Sequence, residues 1–168
     1  MAASDIRKNF NLFVDGRGYA GQVSEFNAPK LTLKTQEFRA GGMNTPIDLN
    51  MGMEKLVADF TLDSYDMNVL SLFGLAEGQR VPFTAREVLE SFDGQVKAVV
   101  HTMRGKITEI DPGTSKAGEP APLKVTLSLT YYKLDHDGQT IHEIDPENMV
   151  QIVSGDDQLA AQRQALAI

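Results

Sequence analysis

Gly16-Arg17-Gly18-Tyr19-Ala20-Gly21 spells the G-x-G-x-x-G pattern that can cradle a dinucleotide pyrophosphate. That chemistry requires a helix N-terminus directly after the glycines. The next residues, Gln22-Val23-Ser24-Glu25-Phe26-Asn27-Ala28, are strand-like and closed by Pro29, so the pattern reads as a hairpin. A second constellation joins His136 and His142 to Asp135, Asp137, Glu143 and Asp145, donor types that can hold a divalent cation. His136 falls in a polar turn and His142 alternates with Ile141 and Ile144, so the imidazoles share no evident face and no metal site is assigned. His101, within Val99-Val100-His101-Thr102-Met103, reads as a strand residue facing solvent or an interface. No G-x-S-x-G elbow is present, and no carboxylate stands in an obvious apolar pocket that would raise its pKa. The residues call for neither catalysis nor a cofactor.

The elements that carry these residues are mainly strands. Asp15-Gly16, Asp93-Gly94 and Asp137-Gly138 each separate apolar, β-branched or aromatic stretches, which predicts three antiparallel hairpins. The flanking strands are expected near 10–14 with 19–26, 83–90 with 96–103, and 123–134 with 140–144; two more are expected near 30–38 and 54–62. Leu123, Val125, Leu127, Leu129 and Tyr131 alternate with Lys124, Thr126, Ser128, Thr130 and Tyr132. One face of that strand is therefore apolar and the other largely hydroxylated, the mark of a sheet buried on one side. One internal helix is expected after Asp63 or Ser64, with Val69, Leu70 and Phe73 on one face and Gly74 at its end. A second starts near Asp156 and carries Leu159, Arg163 and Leu166. Residues 111–122 read as a loop, and so do residues 39–52, which hold Gly41-Gly42 and Pro46. The latter segment carries Met43, Ile47, Leu49 and Met51, and exposed apolar groups on a loop point to a partner. The fold class expected is a mainly β domain over residues 1–168, an antiparallel sandwich or barrel with one packed helix and a helical tail over 156–168.

Composition narrows the function classes. The 168 residues contain no cysteine, which excludes disulfides, thiolate nucleophiles and Cys-based zinc sites. Sixteen basic against 23 acidic residues give a formal charge of −7, which opposes stable nucleic-acid binding. No apolar run is long enough to cross a bilayer, and the segment Met1-Ala2-Ala3-Ser4-Asp5 lacks the apolar stretch of a signal peptide, so synthesis in the cytoplasm is expected.

Three blocks go further. The first runs from Pro29-Lys30-Leu31-Thr32-Leu33-Lys34 to Arg39-Ala40-Gly41-Gly42-Met43-Asn44-Thr45-Pro46-Ile47-Asp48-Leu49. The second comprises Met103-Arg104-Gly105-Lys106, Glu109-Ile110-Asp111, Gly113, Lys116 and Gly118-Glu119; the third comprises Tyr132-Lys133-Leu134, Asp137-Gly138, Glu143-Ile144-Asp145, Asn148-Met149, Gly155, Asp157 and Arg163. In order and spacing they resemble the major tail tube proteins of contractile-tailed bacteriophages, and most closely the tube subunit of R-type pyocins, the phage-tail-like bacteriocins.

The resemblance implies a structural subunit without enzymatic activity. Six copies would form a ring, and rings would stack into a hollow tube built as a continuous β-barrel inside a contractile sheath. Its implied partners are further copies of itself, the sheath, the baseplate hub and spike, and a tape-measure protein. The target membrane is met only after contraction, when the tube conducts DNA in a phage or ions in a pyocin, and the mature location is the released particle. Within this frame Thr32, Lys34, Lys55, Asp59, Lys124, Thr126, Ser128 and Thr130 are expected to line the lumen. Arg39, Gly41, Gly42, Met43, Asn44, Ile47, Leu49 and Met51 are expected at contacts between subunits or rings, with Leu159, Arg163 and Leu166 as C-terminal contacts. A secretion-system tube subunit of similar fold and a small-molecule-binding β-barrel are the alternatives.

Overall fold

The computed structural model describes residues 2–168. Two long strands form the spine, β8 (Val96–Asp111) and β9 (Leu123–His136), paired antiparallel along nearly their whole length. In chain order the others are β1 (Ile6–Val14), β2 (Arg17–Gly18), β3 (Val23–Asn27), β4 (Leu33–Phe38), β5 (Ile47–Met53), β6 (Val57–Leu62), β7 (Val81–Glu90), β10 (Gln139–Asp145), β11 (Val150–Val153) and β12 (Asp156–Asp157). The spine carries different neighbours at its two ends. Toward Val96 and His136, β7 and β1 extend the sheet on one side and β10, β11 and β12 on the other. Toward Asp111 and Leu123, β6 pairs with β9 and β3 pairs with β6, giving the local order β3-β6-β9-β8.

The sheet folds over on itself so that these two halves face each other. Leu12, Val14, Phe60, Phe83, Met103, Val125 and Leu127 fill one continuous core between them. The rings of Phe60 on β6 and Phe83 on β7 meet at 6.3 Å. The fold is thus the expected antiparallel sandwich. Its bend has a local cause. Leu129 lies opposite Gly105 and Tyr131 opposite Arg104, which leaves Thr130 as an extra residue on β9. A bulge of this kind kinks a strand and sharpens its twist. It also changes which side chains point inward. Leu123, Val125, Leu127 and Leu129 are buried as the alternation requires, but the expected inward Tyr131 is replaced by Tyr132.

The three Asp-Gly turns are present. Asp15-Gly16 and Asp137-Gly138 are two-residue loops with positive φ at both positions (50° and 79°; 51° and 80°), which suits the right-handed twist of the paired strands. The first hairpin differs from expectation beyond its turn. β2 pairs with β1 only over Arg17 and Gly18, Tyr19 turns into the core, and β3 joins β6 instead.

Three further expectations are corrected. The internal helix, α1, is one turn, Met67–Leu70, capped by Asp66, whose carboxylate accepts the Asn68 N–H at 2.6 Å. Val69 is its buried anchor, whereas Phe73 lies half-exposed beyond it. The C-terminal helix, α2, begins at Ala160; Asp156 and Asp157 lie before it in β12, paired with Val153 and Ile152. The segment 39–52 is not a long loop. Its second half is strand β5, which pairs with β4 as a separate two-stranded ribbon, and only the turn between Phe38 and Ile47 is irregular.

Candidate assembly surfaces

The outer face of β3-β6-β9-β8 carries Lys124, Thr126 and Ser128 from β9, Asp59 from β6, Asn27 from β3, and Lys106 and Glu109 from β8. Registers Asp59↔Thr126↔Glu109 and Val57↔Ser128↔Lys106 set these groups in rows across the strands. Asn27 donates to Asp59 at 2.7 Å along one such row. Four of the eight residues expected on a common polar face therefore share one: Asp59, Lys124, Thr126 and Ser128. Thr32 and Lys55 border a cleft of about 760 Å³ with Asp59, Arg7 and Lys30, at the rim of that face. Thr130 stands at the bend, donating to the Arg104 carbonyl at 3.3 Å. Lys34 is elsewhere, on β4 of the ribbon.

Two strand edges bound the same face. β3 has β6 on one side and, among the described residues, no strand on the other. On β8, β7 leaves at Gly105 and Phe73 bridges Ile107, so residues 108–111 form a second open edge. Such edges offer unpaired N–H and C=O groups and template pairing with another chain.

The ribbon, or arm, is amphipathic. Phe38 opposes Ile47 and Gln36 opposes Leu49, while Glu37 and Asp48 oppose each other on the reverse face. Phe38 (47%), Ile47 (48%), Leu49 (41%) and Met51 (56%) are all substantially exposed. A lone two-stranded ribbon is marginal in water, and one with an uncovered apolar face is an interaction surface. Met43 departs from this set: it folds back on the turn, its sulfur 3.2 Å from the Ala40 N–H, while Arg39 donates to the Met43 carbonyl at 3.2 Å. Phe38 is the arm residue that sequence reading misses. The signal is present, since Gln36 and Phe38 repeat the period of Ile47, Leu49 and Met51 on the far side of a glycine-containing turn.

Helix α2 buries no residue of its own. Arg163 holds it down, donating to the Met149 carbonyl at 2.8 Å and pairing with Asp157. That pairing holds the Asp157 carboxyl below the ordinary carboxylate range and pushes the Arg163 guanidinium up. Leu159 is half-buried, whereas Leu166 is exposed.

His101 does not face solvent. Its Nε2 lies 3.0 Å from Glu87 Oε2 and its Nδ1 2.9 Å from the Tyr132 hydroxyl, with Arg7 reaching Glu87 at 3.4 Å and Phe26 packed on the imidazole. A carboxylate–imidazole–hydroxyl chain can relay protons, but His101 is 6% and Tyr132 2% exposed, so no substrate reaches it. Its role is to satisfy polar groups within the core. The hydrogen bond from His101 holds the Glu87 carboxyl below its usual range, and burial raises the Tyr132 phenol. A carboxyl with a depressed folded pKa stabilises above its unfolded pKa, and that contribution is lost as pH falls through the folded value. Tyr132→Phe leaves His101 Nδ1 without its partner and is expected to cost about 1–3 kcal/mol, measured as a lower urea midpoint at unchanged slope.

His136 and His142 are not brought together with their neighbouring carboxylates. Asp135 accepts from Thr140, Glu143 from Tyr131 and Asp145 from Asn148, each separately. Among the described residues no group of three or more His, Asp or Glu side chains is placed to hold a metal ion. Tyr131 lies under the Arg104 guanidinium at 4.3 Å, and burial, followed by its bond to Glu143, pushes its phenol up to about 12. Among the described residues no helix is long and apolar enough to cross a membrane.

Comparison with known proteins identifies the family. The family model described as phage tail tube protein FII matches residues 5–166. The tail tube protein of Escherichia phage P2 is 33% identical over 172 residues, covering 100% of both chains. The major tail tube protein of Serratia phage KSP20 is 30% identical over 153 residues, 89% of this chain and 88% of that one. Among solved structures, a chain of the sheath–tube complex of an extracellular contractile injection system, PVC, in its extended state shares the fold. The TM-score is 0.56 at 12% identity, over 76% of this chain and 88% of that one.

Proposed function

Because this chain belongs to the phage tail tube protein FII family and is a structural tube subunit, not an enzyme, we propose that six copies close edge to edge into a ring and that rings stack into the hollow inner tube of a contractile tail. The observation that carries the reading is the polar face bounded by two open edges. In β3-β6-β9-β8 each strand is antiparallel to the next, so β8 of one copy meets β3 of a rotated copy antiparallel as well. An even number of strands per copy lets the ladder close with one pairing geometry throughout. Four strands from each of six copies give about 24; at ~4.8 Å spacing and a tilt near 45° the backbone diameter is about 50 Å, wide enough for a water-filled bore. Closure also removes the exposed edges, which otherwise invite aggregation.

In this arrangement Asp59, Lys124, Thr126 and Ser128 face the bore, with Thr32 and Lys55 at its margin. Glu25, Asp59, Glu109 and Asp111 share this face with Lys106 and Lys124, and Arg7, Lys30 and Lys55 line the cleft at its margin, so the wall carries both signs and offers a passing DNA backbone no purely basic stripe to bind. The tube's sheath, baseplate hub and spike, and tape-measure protein then act as assembly partners. Passage of DNA, or of ions in a bacteriocin, comes after contraction across the target envelope, with the released particle as the subunit's final location.

A ligand-binding barrel needs a cavity between its walls. Here Phe60, Phe83 and Met103, all fully buried, fill that space. Negative-stain imaging of the concentrated chain should show rings or tubes; lone subunits at every concentration, also with sheath and baseplate proteins added, would refute the assembly. The bore assignment has its own check. Ser128→Cys in preformed tubes should react with a small maleimide and resist one too bulky for the channel, and equal reaction with both would place Ser128 outside.

A further inference from the structure

We propose that the groove between the base of the arm and helix α2 is the seat for the apolar face of the arm of a second copy, which rests on the self-assembly reading above. The groove measures about 450 Å³. Leu56, Leu129 and Ile144 form its floor, Met53 its arm-side wall, and Met149 and Leu159 the wall opposite. The floor side chains belong to the core and are already nine-tenths covered, so the groove is a preformed apolar trough.

Fit and charge argue for the arm as its occupant. Phe38, Ile47, Leu49 and Met51 present an extended apolar face. By strand alternation Lys34 shares that face, so the charge travelling with it is cationic. The rim of the groove carries Glu54 and Asp145 beside one lysine, Lys55. Seated apolar face down, the arm brings Lys34 to an acidic rim and turns Glu37 and Asp48 to solvent. Seated the other way, it would put two carboxylates into an apolar trough next to Asp145, where desolvation and like charge both oppose it. A projecting ribbon and a receiving groove at different places on one chain make a heterologous contact, which closes into rings or propagates along a stack.

The chain has no cysteine, which permits a clean test. Leu49→Cys and Gln162→Cys together, both at exposed positions with Gln162 on the groove, are joined in assembled tubes by a short flexible bis-maleimide. The expected product is a ladder of covalent multimers on denaturing gels, absent from either single variant. Leu159→Lys, inside the groove, should raise the concentration needed for tube growth about tenfold or more, while Leu166→Lys on the exposed side of α2 should not. Normal tubes that yield no ladder, or a bond confined to single chains, overturn the seat and leave the tube reading standing. So does a ladder from Phe92→Cys with Gln162→Cys in its place, which would make the 84%-exposed Phe92 of the β7–β8 turn the occupant. Failure of the unmodified chain to assemble at all overturns both.

Discussion

Ile47→Asp with Leu49→Asp is expected to yield a folded monomer that does not grow tubes. Both residues sit on the apolar face of the arm beside Phe38 and Met51, and neither belongs to the core cluster. The arm forms a two-stranded sheet of its own, so its loss of partner surface leaves the main sheet intact. Covering an apolar side chain of about 100 Å² contributes ~2.5 kcal/mol before ordering costs. Removing two such contacts therefore weakens each junction by about 5 kcal/mol, more than a thousandfold, and burying the introduced carboxylates adds to it. Because every junction in a ring or stack repeats the contact, assembly fails at concentrations where the unmodified chain polymerises. Glu37→Lys with Asp48→Lys, on the opposite face of the same strands, is the matched control and should assemble. Sedimentation and negative-stain imaging read the polymer, and urea denaturation reads the fold. Tubes of ordinary length from the double aspartate variant would remove the arm from the interface.

Much of the fold is legible in the sequence because it is local. An Asp-Gly pair between apolar stretches fixes a hairpin through backbone sterics alone, and all three turn where expected. The run from Leu123 to Leu129 reveals its buried face by simple alternation. The failures share a different origin. Tyr131 and Tyr132 exchange places because of a bulge whose cause, Gly105, lies on the partner strand. His101 reads as a surface residue until Glu87, Tyr132 and Arg7 arrive from β7, β9 and β1 to satisfy it. The pairing of β3 with β6 is likewise non-local, since Tyr19 leaves the first hairpin to enter the core. The arm reads as a loop because Gly41-Gly42 and Pro46 dominate its middle, whereas its flanks carry the strand period.

The candidate surfaces divide the same way. Residue type locates the apolar arm and the hydroxylated face, because exposure and alternation arise from the chain itself. Which strands border that face, and that its two outer edges remain open, depend on pairings between residues up to 71 positions apart, as Val57 in β6 with Ser128 in β9. A tube subunit requires these long-range relations, since a polar face bores a channel only when its edges can join those of another copy.

Gly105→Ala should be the most damaging single-atom-group change in the chain, costing about 3 kcal/mol or more and leaving little soluble protein. A Cβ at this position would overlap the backbone carbonyl oxygen of Ser128 and lie 2.9 Å from the Leu129 Cα. Both obstacles are main chain, so no rotamer change relieves them. The strands would have to separate at the point where Thr130 is inserted, breaking the bend that folds the sheet over the core. Gly18→Ala provides the contrast: its nearest neighbour is the edge of the Phe13 ring at 3.2 Å, which can tilt, and the expected cost is below about 1 kcal/mol. Urea midpoints of the two variants measure the difference directly. If Gly105→Ala unfolds at the same midpoint as the unmodified chain, the close approach of β8 and β9 does not hold the bend. If it is soluble but destabilised, its tubes should be short or absent, because the angle at Gly105 sets the polar β3-β6-β9-β8 face, with its two open edges, against the rest of the subunit.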